Sequence, residues 1–197
     1  MAIKIVRILI IALILIFLGF YGLDNEAKRF EEEALRRKTR QQILEKAHMK
    51  IIKWAETEAS PKKIKALRNK HGKNIEIAAI HHGAEPKLIA AITLVESGGN
   101  EHAVSPVKAI GLMGVKPIAA KDVEADPKHL KDPFYNLLIG SKYLKTLETR
   151  YRFHRLEDRL LAYNRGPDMA KAMLRANYQP ATDAYVQKVF LAREKMR

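Results

Sequence analysis

The chain has no cysteine among its 197 residues. This absence excludes disulfide bonds, zinc sites with cysteine ligands and catalysis by a thiol. It does not fix the compartment, because many exported proteins also lack cysteine. The adjacent histidines His81 and His82 do not form a metal-binding pattern, since neighbouring side chains on a helix point about 100° apart and no second ligand pair follows at i+4 spacing. The sequence therefore predicts no metal site and no cofactor.

Negative charge is scarce relative to positive charge. The chain has 36 Lys and Arg against 22 Asp and Glu, a formal net charge of +14. Most of this excess lies in residues 61–197, which hold 25 Lys and Arg against 14 Asp and Glu, a net of +11. A basic globular part predicts a polyanionic neighbour, which could be nucleic acid, an anionic membrane surface or an acidic cell-wall polymer.

The N-terminal segment, residues 1–23, lacks the Ala-x-Ala site of a cleaved signal peptide. Lys4 and Arg7 precede an uncharged run of 16 residues, Ile8–Leu23. Counting from Ala2, with the two cations reaching the head groups, the run predicts a single transmembrane signal anchor. The positive flank predicts that the N-terminus is cytoplasmic and the remainder lies on the periplasmic side of the inner membrane. A cleaved signal, releasing a secreted periplasmic protein, is the alternative. Either location disfavours a nucleic-acid partner.

The remaining chain is predicted to be mainly α-helical, in two further parts. Residues 24–59 form a charged helical stalk, and the globular domain, residues 60–197, starts at the helix-opening pair Ser60-Pro61. The helices predicted in the domain are Pro61–Lys70, Ile75–His82, Pro86–Ser97, Pro117–Val123, Asp132–Tyr151, Leu156–Asn164, Asp168–Ala176 and Thr182–Met196. A strand-like piece is allowed at Ala109–Val115.

Glu96 holds an unusual place for an acidic residue. In residues 88–95 only Thr93 is polar, so the predicted helix is apolar nearly all round and should be buried. Gly98-Gly99 ends it and leaves Glu96 in the last turn. The negative helix end and burial both disfavour ionisation, and no cation lies one turn away along the chain. A carboxyl so placed suits a general acid. The alternative is a side chain that turns outward to water.

Several ordered motifs resemble the SLT-type lytic transglycosylases of the lysozyme-like superfamily. They are Glu96-Ser-Gly-Gly-Asn100, Ala103-Val-Ser105-Pro106, Ala109-Ile-Gly-Leu-Met113, Asp132-Pro133 with Asn136, Gly140 and Tyr143, Ala162-Tyr163-Asn164-Arg-Gly166-Pro167, and Tyr185-Val186 with Lys188-Val189. The resemblance runs from about Ile75 to Leu191.

The resemblance implies a lysozyme-like helical lobe that cleaves the β-1,4 bond between N-acetylmuramic acid and N-acetylglucosamine in peptidoglycan. The product carries a 1,6-anhydromuramic acid end, no water is consumed, and one carboxyl, Glu96, acts as acid and then base. Residues implied to bind or orient the glycan are Ser105, Met113, Gly114, Tyr163, Asn164 and Tyr185. A hydrolase with two carboxyls would need Glu101 or Asp122 as the second acid; Glu101 is expected to be solvated.

The sequence departs from the family pattern at two places near the predicted site, and the first of them, Gly114, favours a rival interpretation. Gly114 replaces a glutamine whose amide could hydrogen-bond the glycan or Glu96, and Lys108 replaces a glycine in the preceding turn. The rival is a non-catalytic or weakly active glycan-binding module within a cell-envelope complex, which the basic surface would also suit. The intact Glu96, Ser105 and Tyr163-Asn164 oppose it.

Overall fold

A computed structural model describes the backbone of residues 2–196 and the side chains of residues 13, 16, 17, 25, 26 and 28–196. Its helices are α1 (Ala2–Thr57), α2 (Pro61–His81), α3 (Pro86–Ser97), α4 (Pro117–Asp122), α5 (Pro133–Thr149), α6 (Leu156–Arg165), α7 (Pro167–Arg175) and α8 (Ala184–Glu194). Short 3₁₀ turns lie at Pro127–His129 and Pro180–Thr182. The prediction of a mainly helical protein is confirmed.

The loop between α3 and α4, residues 98–116, is described throughout and contains no β-strand. Two isolated bridges pair Ile110 with Val104 and with Val115. The strand-like piece that the sequence allowed at Ala109–Val115 does not form, because Gly111 and Gly114 both take positive φ and fold this stretch into tight turns.

The chain forms two compact units, Met1–Met49 and Lys50–Arg197. The first consists of most of α1. Arg36 pairs with Glu32 at 3.7 Å and Arg37 with Glu33 at 3.5 Å, both one helical turn apart. Such exposed i,i+4 pairs stabilise a helix only by a few tenths of a kcal/mol, roughly 0.3–0.5 each. They are typical of a solvated helix.

The N-terminal anchor remains a prediction. Within the part of the chain that the structure describes, no helix has an apolar stretch long enough to span a membrane. Most side chains of residues 1–23 lie outside the described set.

The second unit starts at Lys50, ahead of the predicted domain start at residue 60. Ile51 and Ala55 of α1, and Ala59 in the turn just after it, are buried in its core. Trp54 packs beside them, with the Lys188 ammonium 5.2 Å from its ring centroid. The last turns of α1 therefore belong to the globular unit, because their apolar stripe is covered there.

The α2 helix is continuous, whereas the sequence predicted a break between Lys70 and Ile75. Gly72 lies inside the helix, which costs about 1 kcal/mol relative to alanine. Leu67, His71 and Ile75 follow one another at i+4 spacing and are all buried. Burial of this stripe outweighs the glycine, which explains why the predicted break was wrong.

The α3 helix lies at the centre of the second unit, packed against α2 and α8. Ile89, Ala91 and Ile92 are fully buried, as expected for a helix with almost no polar positions. Its one polar interior side chain, Thr93, donates its hydroxyl to the Ile89 carbonyl at 2.9 Å, so burial leaves this group satisfied. The predicted bounds, Pro86 and Ser97, are confirmed.

Candidate active site

A cleft of about 780 Å³ opens at the C-terminal end of α3. Its walls come from the end of α3, the loop of residues 105–116, α4, α5 and the junction between α6 and α7. Five of the residues predicted to form the site lie in these walls: Glu96, Ser105, Gly114, Tyr163 and Asn164. The fold thus brings together residues that are separated by up to 68 positions in the sequence.

Glu96 occupies the last turn of α3, which ends where Gly98 takes the left-handed conformation at φ +61. Burial raises the pKa of Glu96 to about 7. The Tyr185 hydroxyl and the Lys116 ammonium both act in the opposite direction and lower this pKa by smaller amounts. A carboxyl of this kind carries its proton in a large fraction of molecules near neutral pH, as a general acid requires.

Gly114 forms the wall next to the Glu96 carboxyl. Its φ is +58, and a Cβ at this position would lie 2.5 Å from Glu96 Oε2 and 3.0 Å from Cδ. Real Cβ atoms do not approach oxygen so closely, and side chains are strained at this φ. Glycine at position 114 therefore leaves the space that the Glu96 carboxyl occupies.

The loop beside Glu96 is held in place by one buried amide, that of Asn136 on α5. Its Nδ2 donates to the carbonyls of Ile110 at 2.7 Å and Leu130 at 2.9 Å, and its Oδ1 accepts from the Met113 N–H at 2.8 Å. Gly111 allows this approach, since a Cβ there would lie 2.5 Å from Asn136 Nδ2. The sequence identified Asn136 only as part of a motif, and its fixing of the loop became visible only in the structure.

A second tie joins the loop directly to α3. The Ser97 hydroxyl donates to the Leu112 carbonyl at 2.8 Å and also lies 3.1 Å from the Thr93 carbonyl. Because Ser97 follows Glu96, this contact couples the position of the loop to that of the carboxyl. The sequence indicated Ser97 only as a member of the motif Glu96-Ser-Gly-Gly-Asn100 and gave it no separate role.

Ser105 and Tyr163 contact the backbone of the same loop. The Ser105 hydroxyl accepts from the Ala109 N–H at 3.0 Å and closes a turn, while its own proton can still be donated into the cleft. The Tyr163 hydroxyl donates to the Met113 carbonyl at 2.9 Å. Burial raises the pKa of the Tyr163 phenol well above its usual value, so it remains a neutral donor.

Met113 lies outside the cleft, which differs from its predicted place among the glycan contacts. Its side chain is fully buried and packs against Gly140 of α5. The bends at Gly111 and Gly114 turn this side chain into the core, and its peptide groups are used by Asn136 and Tyr163. Met113 therefore contributes to the site through its backbone.

Tyr185, in the first turn of α8, approaches Glu96 from the core side. The ring is buried, and its hydroxyl has no partner among the described residues that meets hydrogen-bond geometry. It is nevertheless close enough to lower the pKa of Glu96, while burial raises the pKa of Tyr185 itself well above its usual value. The hydroxyl therefore stays protonated beside Glu96, and its role in orienting the carboxyl remains a prediction.

The two other carboxyls considered for catalysis lie in different surroundings. Glu101 does not line the cleft; it pairs with Lys70 at 3.0 Å, and its side chain is only 17% exposed. The expectation of a solvated Glu101 was wrong, because α2 covers it. Asp122 does line the cleft, but Arg150 at 3.1 Å and the Tyr151 hydroxyl at 2.9 Å hold its two oxygens.

No group of three or more His, Asp or Glu side chains among the described residues could hold a metal ion. A second cavity, of about 440 Å³, lies between α2 and α3. Its walls share no residue with the cleft, and its one carboxyl, Glu76, is exposed. The 780 Å³ cleft is therefore the better candidate for chemistry.

Comparisons with known proteins agree with this geometry. The family model for the transglycosylase SLT domain matches residues 73–186. The X-ray structure of an inactive mutant of lytic transglycosylase Slt from Pseudomonas aeruginosa is similar, with a TM-score of 0.54 and 26% sequence identity. The similarity covers 63% of this chain and 23% of that chain, so this chain corresponds to less than a quarter of the Slt protein. The chain belongs to the SLT transglycosylase domain family.

Proposed function

We propose that this protein is a peptidoglycan lytic transglycosylase in which Glu96 is the sole catalytic carboxyl. The observation that carries the proposal is a buried carboxyl with a pKa of about 7 in the wall of a large cleft. Family membership and the resemblance to the Slt lytic transglycosylase supply the reaction class. The substrate is the β-1,4 bond between N-acetylmuramic acid and N-acetylglucosamine.

In the first step, protonated Glu96 donates its proton to the glycosidic oxygen as the bond to the muramic C1 breaks. N-acetylglucosamine leaves with a new 4-hydroxyl group. The acetamido group of the muramic acid stabilises the positive charge that develops at C1. Glu96 is then an anion, and the Tyr185 hydroxyl and the Lys116 ammonium, which lower its pKa, stabilise this form.

In the second step, the Glu96 carboxylate takes the proton from the 6-hydroxyl of the same muramic acid. The 6-oxygen attacks C1 and closes the 1,6-anhydro ring. The proton gained equals the proton given, so the enzyme is regenerated without consuming water. A pKa near the working pH allows one group to serve as acid and base in succession.

The arrangement of the other cleft carboxyls supports this route over hydrolysis with two acids. A second carboxyl that activates water must be free to accept a proton. Of the two carboxyls that the sequence offered as a second acid, Asp122 has both oxygens engaged by Arg150 and Tyr151, and Glu101 lies outside the cleft. The third carboxyl in the cleft walls, Asp168 in the first turn of α7, is exposed, in contrast to the buried Glu96.

Mass spectrometry of the fragments released from purified peptidoglycan tests the proposal. Wild-type protein should release fragments with 1,6-anhydromuramic ends, and the Glu96→Gln variant should release none above background. Reducing muramic ends would instead indicate a hydrolase. Wild-type release no higher than that of Glu96→Gln, across several peptidoglycan preparations, would favour a non-catalytic glycan-binding module of an envelope complex.

We further propose that residues 1–23 anchor the protein in the inner membrane, with the catalytic unit on the periplasmic side. The support is the uncharged run after Lys4 and Arg7 and the lack of a cleavage site. Fractionation should recover full-length protein with membranes, accessible to protease only from the periplasmic side. A soluble form that begins near Asp24 would contradict the anchor and indicate a cleaved signal.

A further inference from the structure

Lys116 lies in the wall of the cleft, two residues after Gly114. Its backbone carbonyl accepts from the Ala120 N–H at 3.1 Å as α4 begins, which fixes the main chain from which the side chain extends. The residue is partly buried, and sequence reasoning assigned it no role. None of the ion pairs within the described residues includes Lys116.

The other charges in the cleft walls differ from Lys116. Arg165 pairs with Asp183 at 3.1 Å, and Asp122 is held by Arg150 and Tyr151. Lys121 is exposed to solvent.

The remaining cleft carboxyls are Glu96 and Asp168, on α3 and α7. Lys116 and Glu96 line the same cleft, and the positive charge of Lys116 lowers the pKa of Glu96. Lys116 is therefore a partly buried cation in the cleft wall that also holds Glu96, and no ion pair within the described residues neutralises it.

We propose that Lys116 binds a carboxylate on the muramic acid side of the scissile bond, and so makes the cleft selective for glycans that carry this charge. The inference rests on the proposed function, because it takes Glu96 as the marker of the scissile bond. The muramic ring that reacts at C1 carries its lactyl group on the neighbouring part of the same ring. An anion on this ring therefore lies within one sugar of the Glu96 carboxyl.

Two groups of the substrate could supply the carboxylate. In a peptide-free strand the lactyl group ends in a free carboxylate. In a peptide-bearing strand that carboxyl is joined in an amide, and the nearest carboxylates belong to the stem peptide. An ammonium group binds either as a charge-assisted hydrogen-bond donor.

Binding measurements distinguish these sources without requiring turnover. Three tetrasaccharides serve as ligands: a peptide-free muramyl tetrasaccharide, the same compound with stem peptides, and chitotetraose, which has no carboxylate. All are titrated by calorimetry against the full chain carrying Glu96→Gln, with and without Lys116→Met. Lys128→Met removes a charge of the same kind from an exposed position outside the cleft and serves as the matched control.

Lys116→Met should weaken binding of one muramyl ligand by about tenfold, because a charge-assisted hydrogen bond is lost. Binding of chitotetraose should change less than about twofold, and Lys128→Met should change none of the three. Lys116→Arg should retain most of the selectivity, since the positive charge remains. A loss confined to the peptide-free ligand identifies the lactyl carboxylate, and a loss confined to the peptide-bearing ligand identifies the stem peptide.

An equal loss for chitotetraose, no loss for either muramyl ligand, or no binding of any ligand would overturn the proposal. These outcomes are separable from failure of the proposed function. Release of 1,6-anhydromuramic ends by wild-type protein decides the function, whereas the ligand dependence of Lys116→Met decides the role of Lys116.

Discussion

Glu96 lies in the last turn of α3 and Glu101 in the loop that follows it. Although they are close in the sequence, their surroundings shift the pKa values of the two carboxyls in opposite directions. Burial in the cleft wall raises the pKa of Glu96 to about 7. The hydrogen bond from Lys70 lowers the pKa of Glu101, and the charges of Lys70, His71 and His102 lower it further. One glutamate is thereby suited to exchange a proton near neutral pH, and the other to remain an anion that joins the loop to α2. Acid–base function thus depends on neighbours supplied by the fold, not on residue type.

The largest expected effect is a difference in catalytic rate between variants of the two glutamates. Glu96→Gln should lower the rate of anhydro-product release by about 10²–10⁴-fold, the usual contribution of a general acid. Glu101→Gln should change the rate less than about threefold while reducing thermal stability, because Lys70 would lose its ionic partner. Steady-state assays and calorimetric melts of both variants check this comparison. Equal inactivation by Glu101→Gln, with reducing muramic ends among the products, would require a second catalytic acid.

Gly114→Gln should disturb the surroundings that raise the pKa of Glu96. The restored side chain would meet Glu96 Oε2 at 2.5 Å and would need a left-handed φ. Overpacking and backbone strain together predict a loss of about 2–4 kcal/mol in the free energy of unfolding. Chemical denaturation measures it, and activity should fall as the carboxyl is displaced.

Gly83→Gln provides the matched control for Gly114→Gln. Gly83 has nearly the same φ, +64, but no atoms lie within 4 Å of a Cβ placed there. The free energy of unfolding of Gly83→Gln should fall by roughly 1 kcal/mol, from backbone strain alone. Equal losses at the two glycines would show that contact with Glu96 does not matter.

The pH dependence of stability should differ between wild type and Glu96→Gln. The folded chain binds the Glu96 proton up to a pKa of about 7, whereas the unfolded chain releases it near the usual value of 4.5. The folded state therefore holds more protons in this window, and this contribution to stability is lost as pH rises from about 4.5 to 7. The loss should be about 2–3 kcal/mol, and Glu96→Gln should lack it.

Denaturation at pH 4.5, 6 and 7.5 measures the difference between the two chains. Comparing them in this way removes the histidines, whose titration is common to both. Identical slopes would contradict a raised pKa. Glu101 acts with the opposite sign, since its lowered pKa contributes stability that is lost as pH falls.

The smallest effect concerns Lys108, in the turn that borders the cleft on the loop side. Lys108 has φ +60, and the family pattern has glycine in this position. Lys108→Gly should raise the free energy of unfolding by about 0.5–1 kcal/mol, because relief of left-handed strain exceeds the added flexibility of the unfolded chain. Thermal melts measure it, with Lys128→Gly as a control that should destabilise. A loss of stability in Lys108→Gly would show that the Lys108 side chain makes a compensating contact.

The sequence predicted the local features of this comparison well. The proline at position 86 and the glycine at position 98 define α3, and its apolar composition predicts its burial. Burial and the helix end together indicated that Glu96 would resist ionisation. These inferences succeeded because each depends on residues within a few positions of the glutamate.

The features that the sequence did not predict depend on contacts between distant segments. Lys70 covers Glu101 from a helix that lies far back in the chain, and Tyr185 approaches Glu96 from the last helix. The sequence does not determine the φ of Gly114, because glycine adopts either sign readily. Met113 fits the motif of a cleft residue, yet two glycine turns direct its side chain into the core.

The central claim, that the fold gives these two glutamates opposite acidities, is tested most directly by titrating their side-chain carboxyl carbons by NMR. Selective ¹³C labelling of glutamate, with Glu96→Gln and Glu101→Gln to assign the two signals, gives both pKa values in one protein. The account predicts a midpoint of about 7 for Glu96 and one below 4.5 for Glu101. A Glu96 midpoint near 4.5, similar to that of an exposed glutamate, would contradict it.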